Sequence, residues 1–231
     1  DRATGYGVVV TLKAWAERRN ETLHGKRYIV QGFGNVGYWT AHFMAKEGAI
    51  LLGVQDASAT LFKADGIDPE ALNAHLEANG RSIAGFAGAG TMDPAQFFSV
   101  DCDIVVPAAL GNQITAKNAG SIKAKVIAEG ANGPTDTEGE AILRANGIEI
   151  IPDILCNSGG VIGSYIEWLQ KKRAEYWKID DVLKMIQDKV TTAFSSVVNT
   201  AREFDTDWRT SAYIVALRRL EKAYKERGIF P

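Results

Sequence analysis

The chain has 231 residues, and 26 Lys or Arg against 28 Asp or Glu give a formal net charge of −2. This balance gives a nucleic acid or an anionic membrane no electrostatic reason to bind, and no apolar run approaches the roughly 20 residues that span a bilayer. Two cysteines are too few for a disulfide framework, so a cytoplasmic location is expected. Hydrophobic residues make up 46% of the chain, which is typical of a globular protein.

The first part of the chain predicts helices that alternate with strands. Apolar positions at helical spacing indicate a helix over residues 4–21, and a short buried strand follows over residues 27–30. A helix over residues 36–46 and a strand over residues 49–54 complete one βαβ unit. An Asp-Pro-Glu start indicates a further helix over residues 68–79, because proline is tolerated in a first helical turn.

The middle of the chain continues this alternation less regularly. Residues 81–92 are rich in Gly and Ala and are expected to leave the regular pattern. Thr135 followed by Glu138 forms a capping-box pattern, which predicts a helix that runs to Leu143. Three more short buried strands are predicted, at residues 104–106, 126–127 and 148–151.

The last part of the chain is predicted to be helical only, over roughly residues 161–174, 180–204 and 208–226. Strands that alternate with helices favour an α/β protein with a parallel, doubly wound sheet of the Rossmann type. We see no internal repeat and no linker. The sequence therefore predicts one domain over residues 1–231, with a core to about residue 160 and a helical tail after it.

One glycine-rich turn carries the first functional signal, Gly32-Phe33-Gly34-Asn35-Val36-Gly37, which matches G-x-G-x-x-G. It follows a predicted strand and opens a predicted helix, as a dinucleotide-binding turn does. Gly32 would make the tight turn, Gly34 would let a pyrophosphate approach the backbone, and Gly37 would let helix and strand pack closely. The alternative is a turn that only packs a helix on a strand.

An acidic residue stands where such a site needs one. Asp56 lies at the end of the second strand of the βαβ unit, where a carboxylate accepts hydrogen bonds from ribose hydroxyls. A 2′-phosphate there would meet like charge, so NAD is favoured and NADP stays possible. The alternative interpretation makes Asp56 a surface turn residue.

Several segments together closely resemble the cofactor-binding domain of the glutamate, leucine, phenylalanine and valine dehydrogenase family. They include the glycine-rich turn and four others: Ala3-Thr4-Gly5-Tyr6-Gly7, Ala128-Glu129-Gly130-Ala131-Asn132-Gly133-Pro134-Thr135, Asn157-Ser158-Gly159-Gly160-Val161 leading into Ser164-Tyr165-Ile166-Glu167-Trp168, and the ending from Trp208 to Ile229-Phe230-Pro231. The Ser-Tyr-x-Glu-Trp run resembles the glutamate branch of the family.

The resemblance implies a role for each matching position. Thr4 and Asn157 match residues that orient the nicotinamide carboxamide, and Asn132 matches a residue near the nicotinamide ribose. Phe33, Asn35 and Val36 match residues of the phosphate turn, and Asp56 and Ser58 match residues at the adenosine ribose. Ala108 and Ala109 match the loop over the next strand end. Val161 and Ser164 match residues that touch the amino acid's side chain. From the residues alone, Thr4 could also be a helix cap, Asn132 and Asn157 turn formers, and Val161 and Ser164 packing residues.

The resemblance also implies what lies elsewhere. The family pairs this domain with an N-terminal substrate domain that supplies the acid–base residues, so we expect that domain to be absent here and no catalytic residue in this chain. The whole protein would convert L-glutamate to 2-oxoglutarate and ammonia reversibly, as a homo-oligomer that the family implies to be a hexamer. A rival hypothesis is a stand-alone module that senses NAD or another adenosine nucleotide.

Other chemistries have little support in the sequence. His24, His42 and His75 lack the spacing of metal ligands, so no metal site is predicted. Cys156 has no histidine near it in sequence and is interpreted as a small buried residue. Gly163 stands inside a predicted helix, which a glycine weakens by up to ~1 kcal/mol.

Overall fold

The computed structural model describes residues 2–228, which form a seven-stranded sheet with helices on both faces. The strands are β1 (Arg27–Gln31), β2 (Ile50–Gln55), β3 (Thr60–Phe62), β4 (Gly90–Thr91), β5 (Ile104–Pro107), β6 (Val126–Ala128) and β7 (Glu149–Ile151). The α-helices are α1 (Ala3–Glu17), α2 (Asn35–Lys46), α3 (Pro69–Ala78), α4 (Thr137–Ala145), α5 (Asp153–Cys156), α6 (Gly159–Arg173), α7 (Ile179–Phe204) and α8 (Trp208–Arg227).

The order of the strands is β4-β3-β2-β1-β5-β6-β7. Strands β2, β1, β5, β6 and β7 run parallel to one another. Strand β3 is antiparallel to β2, and β4 is antiparallel to β3. After β1 the chain builds outward on one side, and it then returns to add β5 on the other side. In open α/β sheets this reversal opens a crevice at the carboxyl ends of the strands.

Alternating side chains divide the core between the two faces of the sheet. Tyr28 and Val30 of β1 point into a core formed with α1, α2, α3, α5, α7 and α8. Ile29 points to the other face, where α4 and two short 3-10 helices, Pro94–Ser99 and Ala119–Ser121, cover the sheet. Parallel strands buried on both faces need apolar residues on both, as these runs have.

Helices α1 and α6 approach each other more closely than side chains on both would allow. A Cβ atom at Gly163 would lie 2.7 Å from the Cβ of Ala3, and one at Gly7 would lie 2.9 Å from the Cα of Gly159. A Cβ atom at Gly160 would overlap the hydroxyl of Thr4. The glycines in α6 therefore set the distance at which the start of α1 lies.

The α/β class and the helical end of the chain are confirmed, but three local predictions were wrong. The sheet is mixed rather than all parallel, because the missed strands β3 and β4 add an antiparallel edge. Helix α1 ends at Glu17, since Asn20 takes a left-handed conformation with φ of 56°. Helix α4 is capped by Asp136, whose Oδ1 accepts from the amide of Gly139 at 2.6 Å, and not by Thr135.

Candidate functional site

Two loops meet at the reversal point of the sheet. Gly32 follows β1 with φ of +89°, and a Cβ atom there would lie 2.7 Å from the backbone of Ala109, in the loop after β5. The loop after β6 joins them, because the amides of Gly130 and Ala131 both donate to the carbonyl of Pro107. Backbone contacts therefore fix the relative position of three consecutive strand ends.

The glycine-rich turn has one crowded end and one open side. A Cβ atom at Gly37 would overlap the carbonyl oxygen of Gly32, so this position packs helix α2 on β1 as predicted. A Cβ atom at Gly34 would meet no atom within 4 Å. The side chain of Phe33 is buried in the core, so only its backbone faces the turn. The space beside Gly34 is where a phosphate group would fit.

The helices whose first turns border this region have no side-chain N-cap. Helices α3, α4 and α8 are each capped by an aspartate side chain. Helices α1, α2 and α6 begin with no side-chain cap, as do α5 and α7. Because each helix N-terminus carries a partial positive charge, those of α1, α2 and α6 together favour an anionic ligand.

A cleft of about 660 Å³ lies between these helix starts and the strand ends. It borders a second cavity of about 840 Å³, whose walls include Asn35 and which shares Thr4, Gly160 and Ser164 with the cleft. Of the predicted residues, the structure brings eight together in the cleft wall: Thr4, Val36, Ala108, Ala109, Asn132, Asn157, Val161 and Ser164. The other wall residues are Leu110, Gly111, Gly130, Ala131 and Gly160, so no residue of the wall has a titratable side chain.

Asn132 and Asn157 form a pair across the floor of the cleft. Nδ2 of Asn157 donates to Oδ1 of Asn132 at 2.7 Å. Neither residue has a positive φ, and both lie in turn or bend segments, so the turn interpretation of the sequence stays open beside the binding one. The pair joins the loop after β6 to the end of α5.

Thr4, Val161 and Ser164 line the cleft from α1 and α6. Thr4 lies in the first turn of α1, whose N-cap is Arg2, so it is not a helix cap. Val161 is 76% exposed and therefore does not pack in the core. Ser164 is also exposed, one turn further along α6.

Asp56 and Ser58 lie apart from the cleft wall, in the loop between β2 and β3. Oδ1 of Asp56 accepts from the amide and the hydroxyl of Ser58, both at 2.7 Å, and from the amide of Ala59 at 3.0 Å. The hydroxyl of Ser58 in turn accepts from the amide of Ile83 at 3.0 Å. Asp56 thus holds a turn of its own backbone, as the turn interpretation expects.

Sequence reasoning missed a buried ion cluster behind the cleft. The guanidinium of Arg209 on α8 donates to both carboxylate oxygens of Glu129 at 2.8 Å, to Glu140 at 2.8 Å and to Asp153 at 3.2 Å. Glu129 is fully buried, and burial raises its pKa even though Arg209 acts in the opposite direction. A glutamate directly after the apolar run of β6 was the available signal, because a buried charge needs a partner.

Two glutamines at equivalent positions were also missed. Gln31 and Gln55 are register partners at the ends of β1 and β2, and Nε2 of Gln31 donates to Oε1 of Gln55 at 3.0 Å. The same atom donates to Gln113 at 3.1 Å. This row of amides ties the ends of β1 and β2 to the loop after β5, beside the glycine-rich turn.

The remaining candidates have structural roles. The Cys156 thiol is buried 3.5 Å from the hydroxyl of Thr11, and burial raises its pKa, as expected of a small buried residue. Over residues 2–228, no group of three or more His, Cys, Asp or Glu could hold a metal ion. Trp168 stacks on Tyr165 and is 52% exposed, so it lies on the surface of this chain. None of the described helices is long and apolar enough to cross a membrane.

These features define a dinucleotide-binding α/β domain of the Rossmann type. The sequence profile of the Glutamate/Leucine/Phenylalanine/Valine dehydrogenase family matches residues 1–228, and the chain belongs to that family. The similarity at the very end of the sequence, Ile229-Phe230-Pro231, lies outside the described residues.

Relatives point to one branch of the family. The chain is 38% identical over 228 residues to a protein named NAD-specific glutamate dehydrogenase from Staphylococcus aureus, covering 99% of this chain and 55% of that protein. The fold of this chain matches that of a hetero-hexameric glutamate dehydrogenase from Thermus thermophilus with a TM-score of 0.93 at 29% identity. The match covers 100% of this chain and 54% of the Thermus thermophilus chain. A glutamate dehydrogenase from Peptoniphilus asaccharolyticus gives a TM-score of 0.85 at 34% identity, with the same coverage.

The chain spans about half the length of the relatives it matches. The similarity supports the glutamate branch that the sequence predicted. The rival hypothesis of a stand-alone nucleotide sensor gains no support from it.

Proposed function

We propose that this chain is the cofactor-binding part of an NAD-dependent glutamate dehydrogenase. The observation that carries the proposal is the cleft at the switch point of the sheet, where eight predicted residues from five separate segments share one wall. A second domain, outside this chain, would complete the cleft with the substrate's anchoring groups.

The cofactor's phosphates would lie at the start of α2. The open space beside Gly34 admits them, and the backbone of Gly32, Phe33 and Asn35 with the first turn of α2 surrounds that space. The absence of a side-chain cap at this described helix leaves its N-terminal dipole directed at the ligand.

The adenosine ribose would lie against Asp56 and Ser58. Oδ1 of Asp56 holds the turn, while Oδ2 remains on the same half-exposed carboxylate to accept from ribose hydroxyls. A 2′-phosphate would meet this negative charge, so we expect NAD to bind more tightly than NADP.

The nicotinamide would enter the cleft between Thr4 and the Asn132–Asn157 pair. Bound NAD supplies the acceptor for the two electrons and the hydrogen removed from the amino acid. Thr4 and Asn157 would orient the carboxamide, Ala108 and Ala109 would leave room for the ring, and Val161 and Ser164 would face the amino acid's side chain.

The whole protein would interconvert L-glutamate with 2-oxoglutarate and ammonia. No residue of the cleft wall is titratable, and we expect the groups that transfer protons to come from outside this chain. A homo-oligomer, a hexamer by analogy with the family, and a cytoplasmic location are further predictions for the whole protein.

The Gly34→Val variant tests the cofactor site. The side chain would fill the space that the phosphates need, and its Cβ atom would meet nothing within 4 Å. We expect NADH binding to be lost in isothermal titration while the protein stays folded, with a loss of stability of about 1 kcal/mol because Gly34 is the N-cap of α2, where Gly is preferred over Val.

Gly120→Ala is the matched control, since a Cβ atom there also meets no atom within 4 Å and the residue lies far from the turn in sequence. It should bind NADH normally. Undiminished NADH affinity in Gly34→Val would refute the phosphate assignment.

A further inference from the structure

The loop after β6 is held at both ends by carboxylates that share one guanidinium. At its start, Glu129 accepts from Arg209 with both oxygens at 2.8 Å. At its end, the amide of Gly133 donates to Oδ2 of Asp153 at 2.8 Å, while Oδ1 of Asp153 accepts from Arg209 at 3.2 Å. The two carboxylates are also joined directly, since the amide of Asp153 donates to Glu129 at 2.9 Å.

The loop between these ends carries one member of the asparagine pair. Asn132 directly precedes Gly133, and its side chain accepts from Asn157, which follows α5. Asp153 is the first residue of α5, the helix that Asn157 follows. Arg209 therefore contacts Glu129, at the start of the loop that carries Asn132, and Asp153, at the start of the helix that leads to Asn157.

We propose that Arg209 is a positioning residue for the nicotinamide end of the cleft. It fixes the Asn132–Asn157 pair through Glu129 and Asp153 and does not touch the ligand itself. The inference rests on the proposed function of the cleft, and it makes α8, the last helix of the chain, part of the support of the site.

The electrostatics favour this fixed geometry. Burial alone would lower the pKa of Arg209, but the hydrogen bonds and charge of Glu129 and then Glu140 outweigh it and raise the pKa. The guanidinium therefore stays charged across the working range of pH. Its planar fork makes four hydrogen bonds to three carboxylates, whereas a lysine ammonium has only three N–H donors on a single atom.

Arg144 provides a matched control on the same cluster. It pairs with Glu140 and, at 2.8 Å, with Asp207, but it has no hydrogen bond to Glu129 or Asp153. Replacing Arg144 removes a guanidinium from the cluster without releasing the loop.

The test compares two ligands in wild type, Arg209→Met, Asp153→Ala and Arg144→Met by isothermal titration. NADH uses both halves of the site, whereas ADP carries only the adenosine and the two phosphates. We expect Arg209→Met and Asp153→Ala to weaken NADH about tenfold or more while ADP stays within twofold of wild type. Arg144→Met should change neither.

A purely structural role would weaken both ligands together, so equal losses for NADH and ADP, or wild-type NADH affinity in Arg209→Met, would overturn the proposal. If Arg209→Met does not fold because Glu129 loses its partner, Asp153→Ala decides, since it keeps the Arg209–Glu129 pair.

Hydrogen exchange in the ligand-free protein gives a second readout that needs no cofactor. We expect the amides of residues 130–133 to exchange faster in Arg209→Met and Asp153→Ala than in wild type, and no change in Arg144→Met. Unchanged exchange would overturn the positioning role. If wild type binds neither ligand, the proposed function is overturned, and this exchange comparison alone decides the positioning role.

Discussion

Single residues at this site combine a structural task with a binding task. Asp56 holds the turn to Ser58 and Ala59 with one carboxylate oxygen, so any substitution tests the loop as well as the ligand. An asparagine keeps an oxygen in the same place and removes only the charge. It therefore separates the two tasks.

The variant Asp56→Asn should shift cofactor preference toward NADPH. Removing the repulsion at this half-exposed carboxylate is worth about 1 kcal/mol, or roughly fivefold in the ratio of the two dissociation constants. Titration of NADH and NADPH against wild type and variant measures that ratio.

Asp65→Asn is the control, because it removes an exposed charge beyond the far end of β3, away from the strand end that carries Asp56. It should leave the ratio unchanged. An unchanged ratio in Asp56→Asn would mean that Asp56 does not face the adenosine ribose.

Between elements, the glycines of α6 decide where α1 and Thr4 lie. Gly163 is unfavourable for a helix in isolation, yet α1 occupies the space that a side chain there would need. Local helix propensity and tertiary packing therefore point in opposite directions at this position, and packing decides.

The variant Gly163→Ala should be less stable than wild type although alanine favours helix by up to ~1 kcal/mol. Its Cβ atom would lie 2.7 Å from that of Ala3, and overpacking of this kind costs about 1–3 kcal/mol. We expect a net loss of about 1 kcal/mol in urea unfolding. Ser195→Ala on the exposed face of α7 is the control and should be neutral or slightly stabilising; a more stable Gly163→Ala would contradict the close packing.

The N-cap of α8, Asp207, is a second feature at the scale of secondary-structure elements. Burial would raise the pKa of Asp207, but hydrogen bonds from Thr210 and the charge of Arg144 outweigh it and lower the pKa. A lowered pKa stabilises the folded protein above the ordinary value of about 4, and this contribution is lost as pH falls through the folded value.

The variant Asp207→Ala should therefore lose about 1 kcal/mol at pH 7, and the difference from wild type should shrink below pH 4. Urea unfolding across this range measures it. Asp207→Asn keeps a capping oxygen that does not titrate, so its difference from Asp207→Ala should not depend on pH. A loss in Asp207→Ala that persists unchanged into acid would contradict the charged cap.

Features that are encoded by residues close together in sequence could be predicted, whereas contacts between distant segments could not. The β1–α2–β2 unit was predicted because the spacing of Gly32, Gly34 and Gly37 lies within one turn. Strand β4 has two residues and carries no periodicity, so it was missed. The contact between Arg209 and Glu129 joins residues 80 apart, and no local pattern encodes such a pair.

At the scale of the whole molecule, the cleft is a surface without acid–base groups. Its wall is made of small, apolar and amide residues, and its positive character comes from helix ends. Such a surface is suited to bind and orient a cofactor, and the proposed function assigns positioned acid–base catalysis, which contributes about 10²–10⁴-fold, to groups outside the cleft wall.

We therefore expect the 231-residue chain to bind NADH but to form none from NAD and L-glutamate. The whole protein that contains this chain should do both. Absorbance at the NADH band, with NADH binding of the chain as the control for folding, measures the difference. Glutamate-dependent NADH formation by the chain alone would mean that a residue interpreted as structural acts as a base.

Helix α1 shows how the order of synthesis and the order of burial differ in this fold. Leu12 and Trp15 are fully buried, and the helix packs against α6 and α7, which are far along the chain. At about 5–20 residues per second, the ribosome needs on the order of 10–40 s after α1 to complete α7. The face of α1 that α6 and α7 cover therefore stays open on the nascent chain for that time, although α2, the next helix along the chain, can pack on α1 earlier.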